Sequence, residues 1–230
     1  MVGKNLHELC DIIGYQFQDI SLLKQAMTHS SFSNEKKVNK PPHYERVEFL
    51  GDAVLENIVS EYLYNEYPDM TEGELTKLRA SLVCEFTLSK SAQELNLGEF
   101  VCLSKGEDLT GGRQRNSILC DLFEALLGAI YLDGGFEAAK RYVFSFLLND
   151  IDNKKLFYDA KSHLQELIQQ GDMGELAYQL IETNGPEHNR EYVTNVTIGG
   201  KVFATGKGTS IKNAEQMAAY EALLILKNKK

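Results

Sequence analysis

The sequence predicts a mainly α protein in two parts. An all-helical domain over residues 1–150 is followed by a small α+β module of order α-β-β-β-α over residues 159–230, with residues 151–158 as linker. Three observations predict this. Apolar residues recur at the helical period through the first 150 positions, with almost no strand-like alternation. The stretch 149–155 is polar except for Ile151, as a linker would be. Beyond Lys161 the pattern changes to a helix, three strand-like runs and a second helix.

Each element has its own signal. Residues 45–65 carry Val47, Phe49, Leu50, Val54, Leu55, Ile58, Val59 and Leu63 at helical spacing. Tyr67-Pro68 ends that helix, because the residue before a proline resists helical geometry. Thr71 and Glu74 have the spacing of a capping box, and Leu75, Leu78, Leu82 and Val83 follow as an apolar face. Residues 117–131 form a helix through Ile118, Leu119, Leu122, Phe123, Leu126, Leu127 and Ile130. Asp133-Gly134-Gly135 breaks it, and 136–148 is a further helix. In the second part, 161–170 is helical and 176–182 is a strand, followed by a turn at Asn184-Gly185-Pro186. Residues 191–198 alternate, with Tyr192, Thr194, Val196 and Ile198 on one face. Gly199-Gly200 turns the chain into a strand at 201–205. The helix 212–226 closes the module with Ala214, Met217, Ala218 and Ala222 on one stripe.

Composition bounds the function. Of 230 residues, 43% are apolar, enough for a real core. No apolar run nears the roughly 20 residues needed to span a bilayer, and the first residues lack the apolar run of a secretory signal. A cytoplasmic protein without membrane contact is expected. Cys10, Cys84, Cys102 and Cys120 form no C-x-x-C pair and have no zinc-ligand spacing, so they read as reduced and mostly buried. The net charge of −9, taken whole, argues against a nucleic-acid partner. Its distribution is uneven. From Lys161 onward there are 8 Lys+Arg and 8 Asp+Glu, whereas the first 160 residues hold 16 and 25. Such an acidic excess is either a solvated surface or a metal site, and spacing decides between them.

Glu45, Glu48 and Asp52 stand at i, i+3 and i+7, close together around one helix face. Three carboxylates there repel one another unless a cation sits among them. Asp121 and Glu124 form a second i, i+3 pair inside the apolar run 118–127, where little of the helix is left to face water. A hard cation such as Mg²⁺ suits carboxylate oxygens, and such a site can polarise a phosphoryl oxygen, activate water and stabilise a leaving oxygen. From spacing alone, solvated acids on two amphipathic helices explain the pattern equally well. No Ser–His or Cys–His nucleophile has convincing spacing, and His29 and His43 read as structural or surface residues.

Longer segments resolve the choice. Glu45-Arg46-Val47-Glu48-Phe49-Leu50-Gly51-Asp52-Ala53-Val54-Leu55 resembles the signature of the ribonuclease III family. Similar matches run from Gln25 to Ser31, from Glu74 to Ala80 and from Ser117 to Asp133, in the family's order. The resemblance implies an endoribonuclease that hydrolyses double-stranded RNA with Mg²⁺, Mn²⁺ being able to substitute, and uses no small-molecule cofactor. It implies 5′-phosphate and 3′-hydroxyl ends with short 3′ overhangs, and processing of ribosomal precursor and messenger RNAs. It makes Glu48, Asp52, Asp121 and Glu124 the metal cluster, with Asp52 and Glu124 most needed for chemistry and Glu45 and Glu74 accessory acids. It also implies a homodimer in which Phe49 enters a pocket on the partner, where the residue alone reads as an ordinary core aromatic. The chain departs from the family at Asn116, where many relatives carry an acid, at Cys120 and at Val47, without losing a cluster carboxylate.

The second part resembles the family's double-stranded-RNA-binding domain at 159–167, 185–189 and 206–219. Such modules read A-form shape through 2′-hydroxyls and phosphates. Ser162, Gln165, Glu166 and Gln169 share one helical face suited to a minor groove. Pro186 and His188 sit in the loop between the first two strands, suited to a second one. Lys207 and Lys212 flank the start of the last helix, where phosphate is attracted. Ile211 stands where relatives usually carry a lysine, so one module is expected to bind weakly and a dimer to compensate. Arg113 and Arg115 are either further phosphate contacts or surface charge. The alternative to an enzyme is a non-catalytic dimeric scaffold that binds duplex RNA.

Overall fold

The computed structural model describes residues 5–36, 38–151, 160–185 and 190–227. The chain divides into two compact units, 1–151 and 152–230. The first contains α1 (Leu6–Ile13), α2 (Ile20–Ala26), α3 (Ser30–Glu35), α4 (Glu45–Glu66), α5 (Glu72–Leu82), α6 (Glu85–Glu94), α7 (Lys105–Leu109) and α8 (Asn116–Phe146). Short 3₁₀ turns lie at Leu97–Glu99, Gly112–Gln114 and Leu148–Asp150.

The apolar run that predicted α8 makes it the centre of the core. Leu122, Phe123, Ala125, Leu126, Leu127, Ala129 and Ile130 are all fully buried. Three helices, α4, α6 and α2, pack around it. α4 contributes Leu55, Ile58, Val59 and Leu63, the inward side of the predicted period. α5 begins with the capping box expected: Glu74 N–H donates to the Thr71 hydroxyl, and the Glu74 carboxylate accepts from Thr71 N–H at 2.8 Å.

The break expected at Asp133-Gly134-Gly135 is a kink within α8 rather than a gap. Gly135 alone leaves helical geometry, with φ 76° and ψ −174°, a left-handed φ that glycine adopts without a Cβ penalty. Asp133 ties this kink to the N-terminal segment. Its carboxylate accepts from the Tyr15 hydroxyl at 2.7 Å, Gln18 N–H at 2.9 Å and Asp19 N–H at 2.8 Å.

The second unit has α9 (Ala160–Gln170), β1 (Leu176–Asn184), β2 (Glu191–Ile198), β3 (Lys201–Gly208) and α10 (Ile211–Lys227). The strands form an antiparallel sheet in the order β1-β2-β3. β1 and β3 run two to three residues past the ends expected from composition, since backbone pairing continues through polar residues. Val196 and Thr194 face inward as the alternation predicts, but Val193 is buried too. The register of β1 against β2 shifts between Leu180 and Glu182, where Ile181 is an extra residue that bulges β1. α9 and α10 pack together, α10 also covers β2 and β3, and Leu164, Ile168, Ala218, Ala222 and Leu223 form the core. Among the described residues, no helix is long and apolar enough to cross a membrane.

Candidate active site

Three of the acids singled out in the sequence, Glu48, Asp121 and Glu124, converge where α4 crosses α8. The crossing is unusually close, because each helix offers a glycine. A Cβ on Gly51 would lie 1.9 Å from the Glu124 carbonyl oxygen, and one on Gly128 would lie 2.3 Å from the Val47 carbonyl oxygen. The two backbones therefore touch. Glycine costs about 1 kcal/mol in a helix interior relative to alanine, so its presence in two apolar helices signals such an approach.

This contact brings Glu48 from α4 against Asp121 and Glu124 from α8, with ligand oxygens of all three within 4.8 Å of one another. Asp52, one turn beyond Glu48, is exposed and is not part of that tight group, though its charge acts on both Glu48 and Glu124. Glu45 sits exposed at the start of α4, 3.8 Å from His43 Nδ1. Glu74 is not one of the three grouped acids. It is exposed, its carboxylate is engaged in the α5 cap, and the Thr71 backbone and hydroxyl bonds hold it below the usual carboxylate range.

Electrostatics mark the cluster. Glu124 is only 8% exposed. Burial, followed by the charges of Asp52, Glu48 and Asp121, pushes its carboxyl up to about 8. Glu48 is raised by burial and then by Asp121, Asp52 and Glu45. Asp121 is raised by burial, against the opposing effects of the Tyr44 hydroxyl and His29. Among the described residues, no Lys or Arg ion pair reaches any of these acids. A buried carboxylate group without a basic partner is relieved either by keeping a proton or by taking up a cation. The donors are all oxygen, which suits a hard divalent ion.

Sequence reasoning missed Tyr44, Gly51 and Gly128. The phenol of Tyr44 donates to Asp121 Oδ2 at 3.0 Å across 77 positions of sequence, a pairing that no local pattern announces. The glycines were legible in principle, as the residues least suited to a buried helix. The arginines of the loop before α8 are already engaged within the fold. Arg113 pairs with Asp108 and donates to the carbonyls of Gly98 and Val101, and Arg115 pairs with Glu107. His29 caps α3 through Nδ1 and so is structural. Cys10 and Cys120 are buried, Cys84 and Cys102 half-buried, and all four are free. Phe49 is 75% exposed, which excludes the core-aromatic reading.

On the second unit, Ser162, Gln165, Glu166 and Gln169 are all exposed on α9, opposite the buried Ala160, Leu164 and Ile168. Lys212 is exposed in the first turn of α10. Lys207 lies on β3 and is 3.3 Å from the Glu191 carboxylate, so part of its charge is already answered. Gly206 and Gly208 flank it, and a Cβ on either would run into the α10 backbone, at 2.1 Å from Ala218 N and 2.6 Å from Ala214 N. β3 thus lies against α10, while Lys207 faces water. Pro186 and His188 lie outside the described residues.

Comparison with known proteins agrees with this arrangement. Residues 19–151 match the Ribonuclease-III-like family, and residues 160–226 match the double-stranded RNA binding motif. Ribonuclease 3 of Bacillus licheniformis is 49% identical over 213 residues, covering 92% of this chain and 86% of the relative. Ribonuclease 3 of Bacillus cereus is 50% identical over 219 residues, covering 94% and 89%. The solved nuclease domain of ribonuclease III from Campylobacter jejuni, described for structural flexibility in a region involved in dimer formation, is 44% identical. It superposes with a TM-score of 0.59 over 64% of this chain and 98% of that one. With an acidic cluster set by two touching helices, and a duplex-RNA-binding motif following in the sequence, the chain belongs to the ribonuclease III family, the endoribonucleases that cleave double-stranded RNA.

Proposed function

We propose that Glu48, Asp52, Asp121 and Glu124 hold Mg²⁺ in this enzyme, with Mn²⁺ able to substitute. The observation that carries this is the meeting of Glu48, Asp121 and Glu124 oxygens within 4.8 Å in a half-buried site without a basic partner. When bound, the cation supplies Lewis acidity for hydrolysis of a phosphodiester. The chain's own residues do the rest. Glu124, raised to about 8 by burial and then by the neighbouring acids, largely keeps its proton near neutral pH, so it couples cation binding there to loss of a proton. Asp52, exposed beside it, faces the solvent side from which RNA approaches. Glu45, also exposed, stands at the rim as an accessory acid. Glu74 serves there only if RNA binding draws it out of its cap.

The products are 5′-phosphate and 3′-hydroxyl ends with short 3′ overhangs. The substrates are duplex segments of ribosomal precursor and messenger RNAs, and the free cysteines suit a cytoplasmic setting. Phe49, exposed one residue after Glu48, anchors a homodimer by entering a pocket on a second copy. The Campylobacter jejuni domain, which has a region involved in dimer formation, supports that reading. Ser162, Gln165, Glu166 and Gln169 meet one minor groove, Pro186 and His188 a second, and Lys207 and Lys212 the phosphates between.

The test is cleavage of a labelled, fully paired RNA duplex with Mg²⁺, with EDTA, and by Glu124→Ala. Cutting that needs the metal and is abolished by the substitution, with RNA binding intact, is the expected result. Metal-dependent cutting by Glu124→Ala at the parent rate refutes the assignment of the cluster.

A further inference from the structure

Tyr44 joins three parts of the first unit. Its N–H donates to the Thr28 carbonyl at 2.9 Å, and its carbonyl accepts the first helical bonds of α4, from Val47 and Glu48 N–H, both at 2.8 Å. Its side chain is buried, at 2% exposure, and reaches across to Asp121 on α8. The ring is backed by His29, whose centroid lies 5.5 Å away at a tilt of 58°. His29 is itself held. Its Nδ1 takes Ser31 N–H at 3.1 Å and lies 2.7 Å from the Ser31 hydroxyl, and that hydroxyl oxygen accepts Ser104 N–H at 3.1 Å. The phenol is thus aimed by a chain of backbone and ring contacts that leaves it little freedom.

Its target needs holding. Asp121 shares the site with Glu48 and Glu124, and the charge of Glu45 also presses on it. An aspartate carboxylate is short and turns freely about its last bond. Without an anchor, like charges favour a rotamer aimed away from the cluster. A donor fixed on Oδ2 opposes that rotation and leaves Oδ1 for the cluster. Groups that hydrogen-bond a metal's ligands orient them, and losing one typically costs about 10–100-fold in metal affinity.

We propose that Tyr44 is a positioning residue for the metal site, its hydroxyl holding Asp121 in the cluster against the repulsion of Glu48, Glu124 and Glu45. This rests on the reading of Asp121 as a metal ligand.

The test compares the full chain with Tyr44→Phe, Asp121→Asn and the double variant. Mn²⁺ affinity is read from the electron paramagnetic resonance signal of free Mn²⁺, and duplex cleavage is followed as a function of Mg²⁺. All assays are run well below the lowest unfolding midpoint of the four proteins. Phenylalanine keeps the ring and its packing. Tyr44→Phe is expected to bind Mn²⁺ about 10-fold more weakly and to need correspondingly more Mg²⁺. Its kcat at saturating Mg²⁺ should stay near that of the parent, because excess metal rescues a ligand that is only misoriented. In the Asp121→Asn background, the same substitution should change Mn²⁺ affinity little. Unchanged Mn²⁺ affinity in Tyr44→Phe, or an equal loss in the Asp121→Asn background, overturns the role of Tyr44 and leaves the metal site standing. Parent-like Mn²⁺ affinity in Asp121→Asn overturns the metal-site reading, and the proposal with it.

Discussion

Gly51→Ala is the substitution that most directly asks whether a backbone contact sets the site. The added Cβ would sit 1.9 Å from the Glu124 carbonyl oxygen, and real contacts of this kind stop near 3.0 Å, so α4 and α8 must part there by 1.1 Å. Neither partner is a flexible side-chain end that can swing aside. Overpacking of this sort costs about 1–3 kcal/mol, or a midpoint lowered by roughly 2–12 °C in a chain of this size. Glu124 itself moves with the clashing carbonyl, so the carboxylates of α4 and α8 separate by a similar distance. A misplacement of about 1 Å can cost on the order of 100-fold in rate. The expected outcome is a fall in duplex cleavage of that order, with RNA binding nearly unchanged. Gly128→Ala, whose Cβ would lie 2.3 Å from the Val47 carbonyl oxygen and so needs 0.7 Å, should be milder in both respects. Gly73→Ala is the control. It lies in the first turn of α5 with open space around its Cβ, and should gain about 0.4–1 kcal/mol. Thermal unfolding and single-turnover cleavage of the three variants check the ranking. Gly51→Ala with the parent's midpoint and the parent's rate would show that the crossing does not set the site.

Other perturbations follow from the same geometry. Glu124→Gln removes a charge that the fold holds at a loss, so in EDTA at pH 8 or above it should raise the unfolding midpoint by several degrees while abolishing cleavage. The parent's metal-free stability should fall as pH rises. The folded carboxyl of Glu124 lies near 8 against an ordinary 4.5, so the folded state holds its proton more tightly, and stability present below 4.5 drains away as pH climbs towards 8. Calorimetry in EDTA from pH 5 to 9 reads this slope, which Glu124→Gln should flatten. Asp133→Ala deletes the acceptor of three hydrogen bonds at the α8 kink and should cost about 1.5–3 kcal/mol. Burial raises Asp133, but the Asp19 and Gln18 N–H groups and the Tyr15 hydroxyl outweigh it and hold its carboxyl low, so its contribution is lost on acidification rather than in base. Lys212→Ala should weaken binding of a non-cleavable duplex and lower the salt slope by about one, read by anisotropy at several salt concentrations. Lys207→Ala should do less, because Glu191 already answers part of that charge.

Much of the fold was legible because its elements are long and their periods clean. The apolar faces of α4 and α8, and the cap at Thr71, need only local physics, and the structure follows them. Ends were less legible. β1 continues past Glu182 through Thr183 and Asn184 because strand pairing uses backbone groups, about which polar side chains say little. The Asp133-Gly134-Gly135 signal was real, but a single left-handed residue satisfied it and the helix resumed at once. At the site, the spacing of Glu48 with Asp52 and of Asp121 with Glu124 put each pair on its helix. It could not say how near the two helices come. That distance depends on Gly51 and Gly128 meeting, a tertiary fact. Tyr44 was invisible for the same reason, and the exposure of Phe49 contradicts what a phenylalanine among leucines suggests on its own.

The arrangement explains how a cluster that repels itself persists in a folded protein. Carboxylates on mobile surface loops would separate until the repulsion faded. Here they project from helices whose backbones touch, and the apolar contacts beneath them, from Leu55 and Ile58 on one side to Phe123 and Leu127 on the other, hold those helices at that distance. The electrostatic strain therefore does not relax by movement. It is relieved by protonation, as the raised carboxyls of Glu124, Glu48 and Asp121 show, or by a cation. A site built this way favours binding divalent metal over keeping its protons as pH approaches 8. It also separates two demands that a surface site would confuse. Rigidity comes from packing far more extensive than the site itself, so the acids can be chosen for chemistry. The second unit carries no net charge and its Lys207 is already paired with Glu191, so it offers a phosphate backbone little raw attraction.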